Sequence, residues 1–466
     1  MATGEDSLGP AFLTPLGTDE YVPPPRTATQ LHASATAAET GSEAAERTQA
    51  PIQRYWAGRR GTAAGLLALN EAAGDAFYDV PAEAALDDAA AEEAFASDGP
   101  VIDVQTHWVA SRPSLRTFQD HVLGSYRHLG PDWWTGLEGV TAFTMAEYLR
   151  CVFVESETAL AVISSTPGTT EGEMLLTNRE MAGMRELFDR MAGSGRLLNH
   201  TVVRPNMGEI DRMHDWTAAY QPSGWKVYTL GQMSDQYVGY DQDFAWRLDD
   251  DTTGRPFLEQ VRATGVNLVC AHKGVSGLVA SGSPSDVGPA ARDFPDINFV
   301  VYHSGYEPGL GEVPFTAEAA DIGVNRLIES VRGAGLGPGD NVYAELGTTW
   351  FCLVSRPVEA AHVLGKLLLH LGEDNIVWGT DAIWYGPTQP VLDAFRKFQI
   401  PDAMCERYGY PKLTATAKRK IVAENAARLY KVDLAGLADK VKNENVLGWT
   451  KGVLETFDRH GLATGG

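Results

Sequence analysis

Five short apolar runs, each with a ligand-type side chain inside it or at its end, constrain this chain more than any other feature. The first is Val101-Ile102-Asp103-Val104-Gln105-Thr106-His107. Polar residues at every second position put Asp103, Gln105 and His107 on one face of a strand. The other four contain Lys226, His272, His303 and Asp381, in residues 224–228, 266–272, 298–303 and 376–381. A lone histidine at a strand end says little. Three His, one Lys and one Asp, each at a strand terminus along an α/β chain, point to one pocket. A (β/α)8 TIM-like barrel gathers the C-terminal ends of its strands in that way.

The ordered set resembles the amidohydrolase superfamily, especially its amidohydrolase-2 branch of hydrolases and decarboxylases. That family carries Asp-x-His-x-His on strand one, Lys or Glu on strand four, His on strands five and six, and Asp on strand eight. The resemblance spans roughly residues 100 to 430 and includes Gly379-Thr380-Asp381, His303-Ser304-Gly305 and the closing helix at Glu424-Asn425-Ala426. It implies His107, Lys226, His272, His303 and Asp381 as metal ligands. The departure is Gln105, which stands where the first His of the pair is expected. A neutral amide oxygen is a weaker ligand than imidazole, so the metal has fewer strong ligands on that side, or differs in kind or number. Imidazole and carboxylate suit zinc, iron or manganese, as one or two divalent ions. With two ions, the family carboxylates its lysine to a bridging carbamate, here Lys226.

The chain has 466 residues, more than the ~250 of a single barrel. Three regions are expected: 1–99 as an N-terminal extension of extended arm plus helices, 100–440 as the barrel, and 441–466 as a loosely held C-terminal tail. The first 50 residues, rich in Ala, Thr, Pro, Gly and Glu, lack hydrophobic periodicity and read as an arm wrapped on the domain or a partner subunit. Arg59-Arg60 before Leu66-Leu67-Ala68-Leu69 looks like a secretion signal, but lies over fifty residues in and runs into Asn70 and Glu71. The preferred reading is an amphipathic helix packed on the barrel. A long insertion follows strand one, from Ser111 to about Thr158, with aromatics at Trp133, Trp134, Tyr148 and Phe153 that line either the mouth or the insertion's own core.

A formal charge of −23 argues against nucleic acid and anionic membranes as partners, and no apolar run approaches the ~20 residues of a span. Cys151, Cys270, Cys352 and Cys405 lie far apart and read as thiols of a reducing, cytoplasmic compartment. The expected partner is a small-molecule substrate, with a homodimer as a further expectation.

The chemistry expected is hydrolysis at the carbonyl of an amide, ester, lactone or thioester. A catalytic ion acidifies water and polarises the carbonyl, and Asp381 moves the proton. Tyr228, two residues beyond Lys226 on the same face, and Lys273, after His272, are candidates to stabilise the oxyanion. Asp103 and Glu345 are expected to orient ligands from behind. In strand three, His200 reads as structural and Asn199 as the inward residue. The atypical Gln105 keeps open acyl-coenzyme A thioester cleavage, which one branch of the superfamily performs with two irons. The alternatives are non-oxidative decarboxylation of an aromatic or unsaturated acid, and a metal-free barrel serving as a binding scaffold.

Overall fold

In a computed structural model, the structure describes residues 9–18, 21, 23–48, 52–97, 99–115, 143–168, 170–193, 195–233, 240–241, 244–276 and 278–462. Eight parallel strands form one sheet: β1 Val101–Thr106, β2 Thr158–Ile163, β3 Leu197–Val202, β4 Gly224–Tyr228, β5 Leu268–His272, β6 Asn298–Tyr302, β7 Val342–Glu345 and β8 Ile376–Val377. They pair in sequence order. The register runs, for example, from Val202 to Lys226 and from Tyr228 to His272. Strands flanked by helices and buried on both faces read as near-continuous apolar runs, which is why the sequence announces them.

The ring closes between the two end strands through backbone hydrogen bonds. Val104 N donates to Trp378 O at 3.0 Å, Asp381 N to Gln105 O at 2.9 Å, and His107 N to Ala382 O at 2.7 Å. This is the (β/α)8 barrel expected. Between β4 and β5, a two-stranded antiparallel pair, Gln232–Met233 with Tyr240–Asp241, stands apart from it.

The N-terminal region is more helical than its composition suggested. Ala28–Thr48 is a helix of 21 residues, and the described residues before it, apart from a 3-10 turn at Ala11–Leu13, run irregularly over the barrel, with Phe12, Leu13 and Leu16 buried. The twin arginine opens the helix Arg59–Ala73, capped by Gly74 at φ 70°. Arg59 pairs with Glu92, Glu157 and Asp393, so the segment packs on the barrel as an amphipathic helix.

At the other end, the tail expected to hang loosely from residue 441 on begins inside the helix Leu434–Asn443 and continues as the helix Val446–His460. Trp449 and Val453 of the second are buried. Arg196 is sandwiched between the rings of Phe153 and Trp449, at 5.3 and 5.2 Å, and pairs with Glu444. Of the aromatics in the insertion, Tyr148 and Phe153 are core residues here: Tyr148 shares a 2.9 Å hydrogen bond with Thr106 Oγ1, and Phe153 packs edge-on to Trp449. Trp133 and Trp134 lie outside the described residues. Among the described residues, no helix is long and apolar enough to cross a membrane.

Candidate functional site

The strand ends converge on Asp381, which follows β8. Its Oδ1 accepts from Gln105 Nε2 at 2.8 Å and lies 3.7 Å from His107 Nε2. Its Oδ2 accepts from Thr348 Oγ1 at 2.5 Å. His303, after β6, donates from Nδ1 to the Gly347 carbonyl at 2.8 Å. A carbonyl only accepts, so the proton sits on Nδ1 and the lone pair on Nε2. That nitrogen is buried without a hydrogen-bond partner, as are His107 Nε2 and Gln105 Oε1.

His272 closes the group from β5. Its ring meets that of His303 edge-on at 4.6 Å and stacks on Tyr228 at 4.4 Å. The Lys226 ammonium lies 3.5 Å from the Tyr302 ring centroid and 4.7 Å from that of Tyr228, an arrangement in which aromatic faces attract a cation. All five ligand candidates implied by the resemblance therefore face one another inside the barrel end.

Their electrostatics are those of a dry site. Burial pushes His107 and His303 down to about 3, so both imidazoles are neutral at physiological pH, the form that offers a lone pair to a cation. Burial raises Asp381 to about 6, Asp103 to about 7 and Glu345 to about 8.

Asp103 and Glu345 act on backbone rather than on ligand rings. Asp103 accepts from Thr380 N at 3.0 Å and Thr380 Oγ1 at 2.5 Å, which holds the turn that presents Asp381. Glu345 accepts from His303 N at 3.1 Å and Gly347 N at 2.5 Å. His303, Ser304, Thr348 and Asp381 all have positive φ, of 62°, 54°, 57° and 60°. Left-handed backbone is unfavourable for such residues and clusters at functional sites.

The acids carry a pH consequence. Asp103 and Glu345 have folded-state values above their unfolded ones, so each favours the native state less as pH rises from 6 to 8, whereas the buried neutral His107 and His303, with values below their unfolded ones, favour it more over that range. Relative to Glu345→Gln, chelator-treated wild type should therefore lose ~2 kcal/mol of unfolding free energy from pH 6 to pH 8, read from urea midpoints. An equal pH dependence of the two proteins would mean that Glu345 is already ionised at pH 6.

Space is equally constrained. A Cβ on Gly379 would land on Glu345 Oε1 and come within 3.1 Å of Gln105 Cβ. Gly379→Ala should cost ~1–3 kcal/mol in urea unfolding, the usual penalty of overpacking. Gly333→Ala, where an added Cβ meets nothing within 4 Å, serves as the control.

Two expectations are corrected. Lys273 is no oxyanion partner: its ammonium is buried against Asp286 Oδ2 at 2.7 Å and the Ser281 carbonyl at 3.0 Å, with both charged side chains 0% exposed. Its ammonium serves the fold through these two bonds, because a buried cation needs an anion beside it. In β3, His200 and not Asn199 faces inward. His200 lies within hydrogen-bonding distance of Tyr430 OH, at 3.0 Å, and Tyr302 OH, at 3.3 Å, while Asn199 bonds the Tyr220 carbonyl in the helix layer. The sequence also missed Thr348 and Tyr385, whose hydroxyls lie 2.7 Å apart beside Asp381; neither carries a local pattern that marks it.

The donors suit a divalent cation in type, burial and protonation. Among the described residues, however, no three His, Cys, Asp or Glu already stand in a closed coordination set, so an ion would draw them together. A cavity of about 840 Å3 lined by Trp56, Arg59, Gln389 and Asp393 lies apart from these residues.

A family model described as amidohydrolase matches residues 70–432. No curated protein matches the chain. Among solved structures, the chain is similar to an uncharacterised TIM-barrel protein from Bordetella bronchiseptica, at 14% identity over 73% of this chain and 99% of that one, with a TM-score of 0.43. It is similar also to 2,6-dihydroxybenzoate decarboxylase from Rhizobium, at 15% identity over 72% and 100% with a TM-score of 0.42. A zinc-bound amidohydrolase from Burkholderia multivorans gives 15% identity over 71% and 99%, again with a TM-score of 0.42.

Proposed function

The chain belongs to the amidohydrolase-2 family of metal-dependent enzymes, and on that premise we propose that it hydrolyses a carbonyl compound (an amide, ester, lactone or thioester) at the site around Asp381. The observation that carries this reading is the pair of buried imidazole nitrogens, His107 Nε2 and His303 Nε2, left without hydrogen-bond partners near a carboxylate. A buried polar atom in that condition costs ~1–3 kcal/mol unless something completes it. His107, His272, His303 and Asp381 would hold a divalent ion, zinc, iron or manganese, with Gln105 Oε1 and Lys226 beside it. Such an ion, when bound, polarises the substrate carbonyl and acidifies water.

The remaining work belongs to the chain. Asp381 takes the proton of the attacking water and returns it to the leaving group. Thr348 and Gln105 hold the two carboxylate oxygens in place for that exchange. Tyr228, stacked on His272, is the donor to the developing oxyanion once Lys273 is set aside. The surrounding aromatic faces and the burial of the ligands exclude bulk water, which strengthens each of these interactions.

The test begins with elemental analysis of the purified protein, which should contain a transition metal in stoichiometric amount. Panels of amides, lactones, aryl esters and aromatic acids are then incubated in H218O. Hydrolysis places the label in the product acid. Carbon dioxide released from an aromatic acid with no label incorporated would replace hydrolysis by decarboxylation. Absence of both metal and turnover would leave the scaffold reading.

A further inference from the structure

Outside the segment that matches the family, the N-terminal arm reaches the site. Tyr21 brings its hydroxyl to 3.3 Å from that of Tyr385. Tyr385 OH lies 2.7 Å from Thr348 Oγ1, and Thr348 donates to Asp381 Oδ2 at 2.5 Å. One continuous line of hydroxyls thus joins the arm to the carboxylate. We propose that Tyr21 is a positioning residue of this site, fixing the Asp381 carboxylate through Tyr385 and Thr348. The proposal rests on the reading of Asp381 as ligand and proton carrier.

The hydroxyl inventory sets the direction of the line. Thr348 has one proton and gives it to Asp381, so toward Tyr385 it accepts. Tyr385 in turn gives its proton to Thr348 and presents a lone pair to Tyr21. The one proton of Tyr21 goes to the Leu16 carbonyl at 2.9 Å and is shared over the longer branch, 3.3 Å, with Tyr385, while Cys352 Sγ lies 3.4 Å from the Tyr21 oxygen as a weak donor.

The line matters because of what stands at its inner end. Thr348 and Asp381 both have left-handed backbone, at φ 57° and 60°, a conformation that persists only where neighbours determine it. The Tyr385 ring is stacked on Phe351 at 3.9 Å, so its hydroxyl is held on this path. The arm is itself anchored. Leu13 and Leu16 are buried, and in the helix that follows Gln30 Nε2 donates to Ser355 Oγ at 2.7 Å. The arm therefore arrives from a fixed direction, and its hydroxyl completes the set of contacts that orients the carboxylate.

Full-length Tyr21→Phe keeps the ring and removes only the hydroxyl. Two readouts are compared with wild type: zinc affinity, by competition with a chromogenic chelator, and backbone hydrogen exchange. Zinc affinity should fall about tenfold, as when an outer partner of a ligand is lost. Exchange should quicken in peptides covering 347–350 and 379–385 and stay constant in β2 and β3. Tyr385→Phe should weaken zinc binding at least as much, and Tyr21→Phe added to it should do nothing further, a coupling that ring packing alone does not produce. Wild-type zinc affinity together with wild-type exchange in both peptides would overturn the proposal. Should the wild type bind no zinc while exchange in those peptides still depends on Tyr21, the positioning role stands and the metal reading fails.

Discussion

Asp381→Asn should lower turnover by ~10²–10⁴-fold, the contribution expected of a positioned acid–base group, while leaving a folded protein. The substitution keeps size and shape but removes the ability to take a proton at neutral pH. It also replaces one acceptor oxygen by a donor. Gln105 Nε2 and Thr348 Oγ1 both donate to Asp381, so one of them would face an NH2 group. Rotation of the Thr348 hydroxyl or a flip of the Gln105 amide relieves this, at a cost of ~1 kcal/mol in urea unfolding. Steady-state kinetics on the substrate found by isotope labelling gives the rate, and the urea midpoint shows that loss of rate is not loss of fold. Undiminished turnover in the variant would remove Asp381 from the chemistry.

Lys273→Met should act the other way, lowering stability by ~3–5 kcal/mol and leaving metal content as in the wild type. Lys273 and Asp286 are both wholly buried, 2.7 Å apart. Removing the cation strands a carboxylate that also accepts from Leu248 N at 2.9 Å. The double variant Lys273→Met/Asp286→Leu should recover much of the loss, because replacing both charges by apolar groups avoids the stranded ion. Urea unfolding of the single and double variants, with elemental analysis of each, separates the possibilities. If Lys273→Met keeps wild-type stability and loses turnover, the sequence-based role of this lysine is restored.

The two lysines show what a sequence can and cannot convey. Lys226, inside a strand, reads as a metal ligand, and Lys273, just past a strand end, reads as a candidate for the mouth. Only the fold reveals that Lys273 meets a carboxylate thirteen residues further on, while Lys226 lies against the faces of Tyr302 and Tyr228. The eight strands were legible because burial on both faces makes each an apolar run with a conspicuous polar residue at its end. His107, His272, His303 and Asp381 were legible for the same reason. Thr348, Tyr385 and Tyr21 were not. Their roles depend on hydroxyls meeting across 37 and 364 positions, and an isolated Thr or Tyr has no periodicity to betray it. The helical C-terminus was missed because its anchors, Trp449 with Arg196 and Phe457 with Trp108, pair with distant segments.

That last contact bears on where damage to the site can start. Trp108 adjoins His107, and its ring packs edge-on against Phe457 at 5.7 Å. A substitution that loosens the helix Val446–His460 therefore withdraws a neighbour from the residue next to His107. Such a lesion reaches the candidate centre without touching any of its own side chains.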